Sequence, residues 1–159
     1  MATANGSLSI YLNDHLAGST AVIELVRRAA REHRGSELGA FLARLGREIA
    51  EDRHALRRVM DAAGARPNVA KVALAWTAEK LGRLKLNGRL VRRSPLSPFV
   101  ELEVLETGIY GKLLLWHVLR ERPTPGSGAV DLDELIVRAE RQLAEVERHR
   151  LAAGAALEG

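Results

Sequence analysis

The residues best equipped for chemistry stand where an oily helix has least use for them. His15, Glu48, Asp52, Glu106, Glu147 and Arg150 each fall on or beside the apolar stripe of a predicted helix. Core-facing positions seldom carry charged side chains unless these are paired or bind a metal. Two chemistries are therefore open. As ion pairs, His15 hydrogen-bonds Asp52, and Arg150 pairs with Glu106, with Glu147 or Glu103 sharing the guanidinium. As a metal site, His15, Glu48, Asp52, Glu106 and Glu147 offer the imidazole and carboxylates that suit iron or manganese, with oxidoreductase or metal-handling chemistry to follow. Arg150 weighs toward ion pairs, because a fixed cation repels another cation in the same pocket. The preferred reading is a structural polar layer with no cofactor and no catalysis; iron or manganese binding is the alternative.

Other polar residues are weaker candidates. Tyr110 and His117 border the face of their helix, where a phenol can reach a neighbouring carboxylate and an imidazole can pack near an interface. Lys112 and Trp116 lie four residues apart, a spacing for packing or a cation–π contact. The chain holds no phosphate-cradling glycine loop, no nucleophile elbow and no serine, histidine and aspartate set at a usable spacing. A catalytic residue cannot be named from the sequence, nor a small-molecule ligand.

Five segments must position these groups. Apolar residues three and four apart predict a first helix over 9–33, carrying Leu12, Leu16, Ser19, Ile23, Val26 and Ala30. Gly35 breaks it, and Ser36 caps a second helix over 37–63, which Gly64 and Pro67 close. Residues 68–86 read as a third helix with an Asn87-Gly88 stop, although 84–91 alternate around that pair as a hairpin would. Ser97 with Pro98 at the first helical position starts a fourth helix running to about Arg120. Asp131 caps the last, whose stripe is Leu132, Leu135, Ile136, Ala139, Leu143, Val146, Ala153 and Leu157. Two antiparallel pairs joined by a long connection make an all-α four-helix bundle with a crossover. A third helix of this length spans about 28 Å, enough to carry the chain back along the bundle. One domain is expected over 9–157, behind a disordered tail at 1–8.

Composition narrows the function classes. There is no cysteine, which removes thiol catalysis, cysteine-based zinc sites and disulfides. Two Phe, two Tyr and two Trp are too few for a single-strand stacking platform. The net charge of +4 comes mostly from arginine, in pairs such as Arg27-Arg28, Arg57-Arg58 and Arg92-Arg93, interspersed with acids and without a docking motif. Solvated helix faces explain them better than nucleic-acid binding. No apolar run is long enough to span a bilayer and no secretory signal is visible, so no membrane partner and a cytoplasmic location are expected.

The helix order resembles the ferritin-like superfamily, which includes bacterioferritins and rubrerythrins. Glu51-Asp52-Arg53-His54 even spells the Glu-x-x-His motif that, in that superfamily, supplies ligands to a di-iron centre. Periodicity points Asp52 inward and Glu51 and His54 outward, however. Glu24 also points outward, and the last helix has no second copy of the motif, since Leu143 stands three places after Glu140. The standard ligand set therefore does not carry over. The strings Tyr11-Leu12-Asn13-Asp14-His15-Leu16-Ala17-Gly18 and Gly108-Ile109-Tyr110-Gly111-Lys112-Leu113 look like an unassigned bacterial group of ferritin-like proteins, a resemblance that implies the fold and no activity. A homodimer rather than a cage is expected. Gly108 and Gly111 permit close helix contact, and Leu74 and Leu81 lie roughly opposite Val72 and Leu90, more sides than one core covers.

Overall fold

A computed structural model describes residues 6–68 and 96–157. The expected third helix, the alternative hairpin at 84–91 and the residues Val72, Leu74, Leu81 and Leu90 lie outside these. The described chain is all-α. Four long helices carry it: α1 (Gly6–Glu32), α2 (Glu37–Ala63), α3 (Ser97–Glu121) and α4 (Leu132–Ala153), with short 3-10 turns at Ser127–Ala129 and Gly154–Leu157. None of the described helices is long and apolar enough to cross a membrane.

The helix ends follow from local chemistry. Ser36 Oγ accepts the backbone N–H of Gly39 at 3.0 Å, and Asp131 Oδ1 accepts that of Glu134 at 3.0 Å, so each satisfies a donor with no partner inside its own helix. Gly35 (φ 86°) and Gly64 (φ 68°) take the left-handed conformation that ends a helix at little cost only for glycine. Two ends differ from expectation. α1 begins at Gly6, and Leu8 packs against the core, so residues 6–8, expected in the tail, belong to the helix; residues 1–5 lie outside the described residues. Leu96, not Ser97, stands at the cap of α3, with no side-chain hydrogen bond; Pro98 alone supplies the start signal.

Contacts set the topology. Thr20 meets Arg53, Arg28 meets Glu101, Glu37 meets Arg148, and Arg120 meets Asp133. Each of the four adjacent helix pairs is therefore antiparallel, and α2 runs parallel to α3 across the bundle. α2 ends beside Gly126, while α3 starts at the opposite end, where Phe99 packs near Gly154. The connection between them joins opposite ends of the bundle. Leu12, Leu16, Val26, Leu45, Val59, Met60, Leu102, Leu105, Ile109, Leu115 and Ala139 fill the core between the helices.

Asn13 ties the exit of α2 to α1. Its side chain accepts the backbone N–H of Asn68 at 2.7 Å and donates to the carbonyls of Ser9 and Arg66 at 2.8 and 3.2 Å. This buried amide satisfies backbone groups that would otherwise lack partners as the chain leaves the helix.

Gly108 belongs to an approach within the chain. A Cβ there would stand 2.6 Å from Val22 Cγ2 of α1, so the two helices touch because α3 presents no side chain where Val22 stands. Of the two close contacts that such glycines allow, with another helix or with a second subunit, Gly108 makes the first, with α1, whereas Gly18 and Gly111 face open space. Opposite outcomes follow for one substitution. Gly108→Ala overpacks against the stiff Val22 and is expected to destabilise the fold by about 1–3 kcal/mol. Gly111→Ala gains helix propensity without a clash and should stabilise by roughly 0.5–1 kcal/mol. Urea unfolding of the two variants, followed by circular dichroism, checks both signs.

Candidate functional site

Asp52 is a buried carboxylate, 2% exposed and central to a polar layer that joins α2, α3 and α4. Lys112 Nζ donates to Asp52 Oδ2 at 2.5 Å and to Gln142 Oε1 at 2.5 Å. Arg138 donates to Asp52 Oδ1 at 3.1 Å. The Gln142 amide then donates to Glu48 Oε2 at 3.0 Å and to Asp52 Oδ2 at 3.4 Å. Exchanging its oxygen and nitrogen would set an NH2 against the ammonium and an oxygen against two carboxylates, so the network fixes its orientation. Arg141 closes the layer on the solvent side with a 3.0 Å pair to Glu48. Burial pushes the Lys112 ammonium below its ordinary range, against the pull of Asp52.

The expected His15–Asp52 hydrogen bond is not formed among the described residues. Both oxygens of Asp52 are taken by longer cationic side chains, and His15 lies edge-on to Tyr11 with ring centroids 4.7 Å apart. Burial lowers the His15 pKa, with Asp14 opposing. Glu48 does face the Asp52 layer, bridged to it by Gln142. Glu106, Glu147 and Arg150 form a separate cluster. Arg150 Nε lies 3.1 Å from Glu106 and 2.6 Å from Glu147, and Glu103 lies 3.6 Å from the guanidinium. The expected partners therefore meet, but at the bundle surface; Arg150 is 21% exposed on its side chain. The five proposed metal ligands are thus divided. Among the described residues no three of His, Asp and Glu gather where they could hold one metal ion. Lys112 and Arg138 hold the positions at Asp52 that a metal would need, and Arg150 does the same among its three glutamates.

Three assignments change with the phase of the helices. Gln142, not Leu143, is central on α4, 1% exposed. His149, a polar residue three places beyond Val146 on α4, is buried and stacked on Phe41 at 4.2 Å. Lys112 reaches across to α2 instead of packing on Trp116, and a heptad count was the available signal: it stands two turns beyond the fully buried Leu105. Tyr110 is exposed, and His117 Nδ1 lies 3.3 Å from Arg120. Glu51 and His54 are exposed, as their periodicity requires.

Beside the polar layer lies a cavity of about 430 Å3 between α1, α2 and α3. Its apolar walls include Val22, Ile49, Leu56, Val104, Ile109 and Leu115; its polar groups include Asp14, His15, Asp52, Arg53, Lys112 and Trp116. Gly18 and Gly111 line it too, with open space where a Cβ would stand on either, so missing side chains account for part of the space. Two buried donors among these residues lack a hydrogen-bond partner: Trp116 Nε1 and Arg53 Nε. No family model matches the chain, and no curated protein or solved structure is significantly similar to it.

Two measurements test this geometry. Asp52→Leu leaves the Lys112 ammonium buried without its carboxylate and is expected to cost about 3–5 kcal/mol. Adding Lys112→Met removes the stranded charge and should recover most of that loss in urea unfolding; a double variant as unstable as the summed single ones would refute the pairing. The second concerns pH. Burial lowers both the His15 and the His149 pKa, the latter helped by Arg148, so the folded chain binds protons less readily than the unfolded one. The stability that rests on their neutral forms is present above pH ~6.5 and falls as pH drops below it. The urea midpoint should decrease from pH 7.5 to 5.5, and the decrease should shrink in His15→Asn/His149→Phe. Hydrogen bonds from Arg150 hold Glu147 below the usual carboxylate range, so its contribution persists across this window.

Proposed function

We propose that this chain is a non-catalytic, ferritin-like bundle whose polar layer is structural and whose cavity binds a small, largely apolar molecule. The observation that carries the reading is a cavity of about 430 Å3 with apolar walls and two orphaned buried donors, set against a layer that already satisfies its own charges. Volumes of this order are typical of small-molecule sites, which join a mostly apolar lining to a few placed polar groups. The pocket is partly open to solvent, so its stability cost lies in the buried donors without partners, which an occupant would offset.

The metal reading finds little support in the donors present. An ammonium and a guanidinium already occupy the oxygens of Asp52, and Glu106 and Glu147 lie in another cluster around Arg150. No step through a metal is drawn from them.

A neutral probe tests the cavity independently of charge. N-phenyl-1-naphthylamine, which fluoresces in apolar surroundings, is expected to bind one to one and saturably. Gly111→Phe places a ring at the cavity wall and should abolish the signal while helicity is unchanged. An absence of saturable binding, or binding indifferent to Gly111→Phe, rejects the reading.

A further inference from the structure

We infer that the cavity selects an organic carboxylate, with Arg53 holding the anionic head and the apolar walls holding the body. This rests on the ligand-binding reading above and adds the chemical class of the ligand.

Among the described residues Arg53 has no carboxylate within ion-pair distance; its one hydrogen bond runs from Nη2 to the Thr20 hydroxyl at 3.3 Å. The guanidiniums nearest to it in effect, those of Arg57 and Arg27, add positive charge instead of removing it. The other arginines in contact with the polar layer behave differently: Arg138 pairs with Asp52, Glu51 and Glu134, and Arg141 with Glu48 and Glu145. An arginine at a cavity wall without an acid, half-buried and with its Nε buried and unpartnered, can receive an anion there.

A second donor stands on the same cavity from another helix. Trp116 is 1% exposed, and its indole N–H has no acceptor. An indole N–H can only donate, so the partner it lacks is an acceptor. A carboxylate supplies acceptors to both donors, with the charged hydrogen bond going to the guanidinium. The two acids at the cavity do not compete for Arg53. Asp52 is saturated by Lys112, Arg138 and Gln142, and Asp14 is exposed. One uncompensated guanidinium and one neutral donor suit a singly charged head.

Calorimetric titration of octanoate and of its uncharged counterpart 1-octanol, at fixed ionic strength and pH 7.5, tests this directly. Octanoate should bind at least about tenfold more tightly than octanol, the scale expected of a charged hydrogen bond. Arg53→Gln should remove that preference and leave octanol binding within about twofold, and Trp116→Phe should weaken octanoate by a smaller factor. Circular dichroism must show all variants folded; Arg53→Gln deletes an unpaired charge and is expected to fold at least as well as the parent. Octanol binding as tight as octanoate, or octanoate binding unchanged in Arg53→Gln, overturns the inference while the naphthylamine result still stands for the cavity. Loss of naphthylamine, octanol and octanoate binding together removes the cavity reading and this inference with it.

Discussion

The constraint on which the rest depends is the burial of one carboxylate. Asp52 cannot remain charged in the core without cationic partners, and none lies on its own helix. Lys112 comes from α3 and Arg138 from α4, so satisfying Asp52 fixes the relative height of three helices at once. Gln142 then couples this charge to Glu48 through an amide that has only one acceptable orientation. Buried pairs of this kind add little net stability over an apolar core, but removing one partner is costly. Their effect here is registry. A slide of α3 or α4 by one turn would strand a charge, whereas leucines and valines alone tolerate such slides.

The cavity follows from that registry. With α2, α3 and α4 held by the layer, α1 meets α3 at one close point, Val22 against Gly108, and the small residues on either side leave space. Polar groups that the layer does not use, those of His15, Arg53 and Trp116, stand at this space. One set of side chains is closed on itself and the other is left open. Arg53, with no carboxylate in ion-pair distance among the described residues, differs in this from Arg138 and Arg141, which are paired with acids.

Much of the fold was legible because helix ends are local. Ser36, Gly64, Pro98 and Asp131 act on backbone groups within one turn, so their types alone marked the ends of α2, the start of α3 and the start of α4. The inward direction of Asp52 was legible for a related reason, since Leu45, Ile49 and Leu56 bracket it on one helix. The site was not, because its contacts lie between helices. Lys112 was assigned to Trp116, its neighbour in sequence, when its partner lay on α2. The phase of α4 was misjudged because Leu143 looked more fit for burial than Gln142, yet Gln142 faces Asp52 and Lys112 and finds partners there. Periodicity fixes the spacing of a stripe better than its rotation, and an error of one residue turns the face by about 100°. The cavity had no signal in the pattern at all. It arises from glycines on two helices that come together only in the folded bundle.

An Asp52 layer closed by its own cations and an adjacent cavity open to an anion can be tested together. Crystals grown with octanoate and soaked in manganese address both halves in one anomalous diffraction experiment. The expected map shows the carboxylate within hydrogen-bond distance of Arg53, Lys112 still on Asp52, and no manganese peak between Glu48 and Asp52. A manganese peak at those carboxylates with Lys112 displaced, or octanoate absent from the cavity, would contradict it.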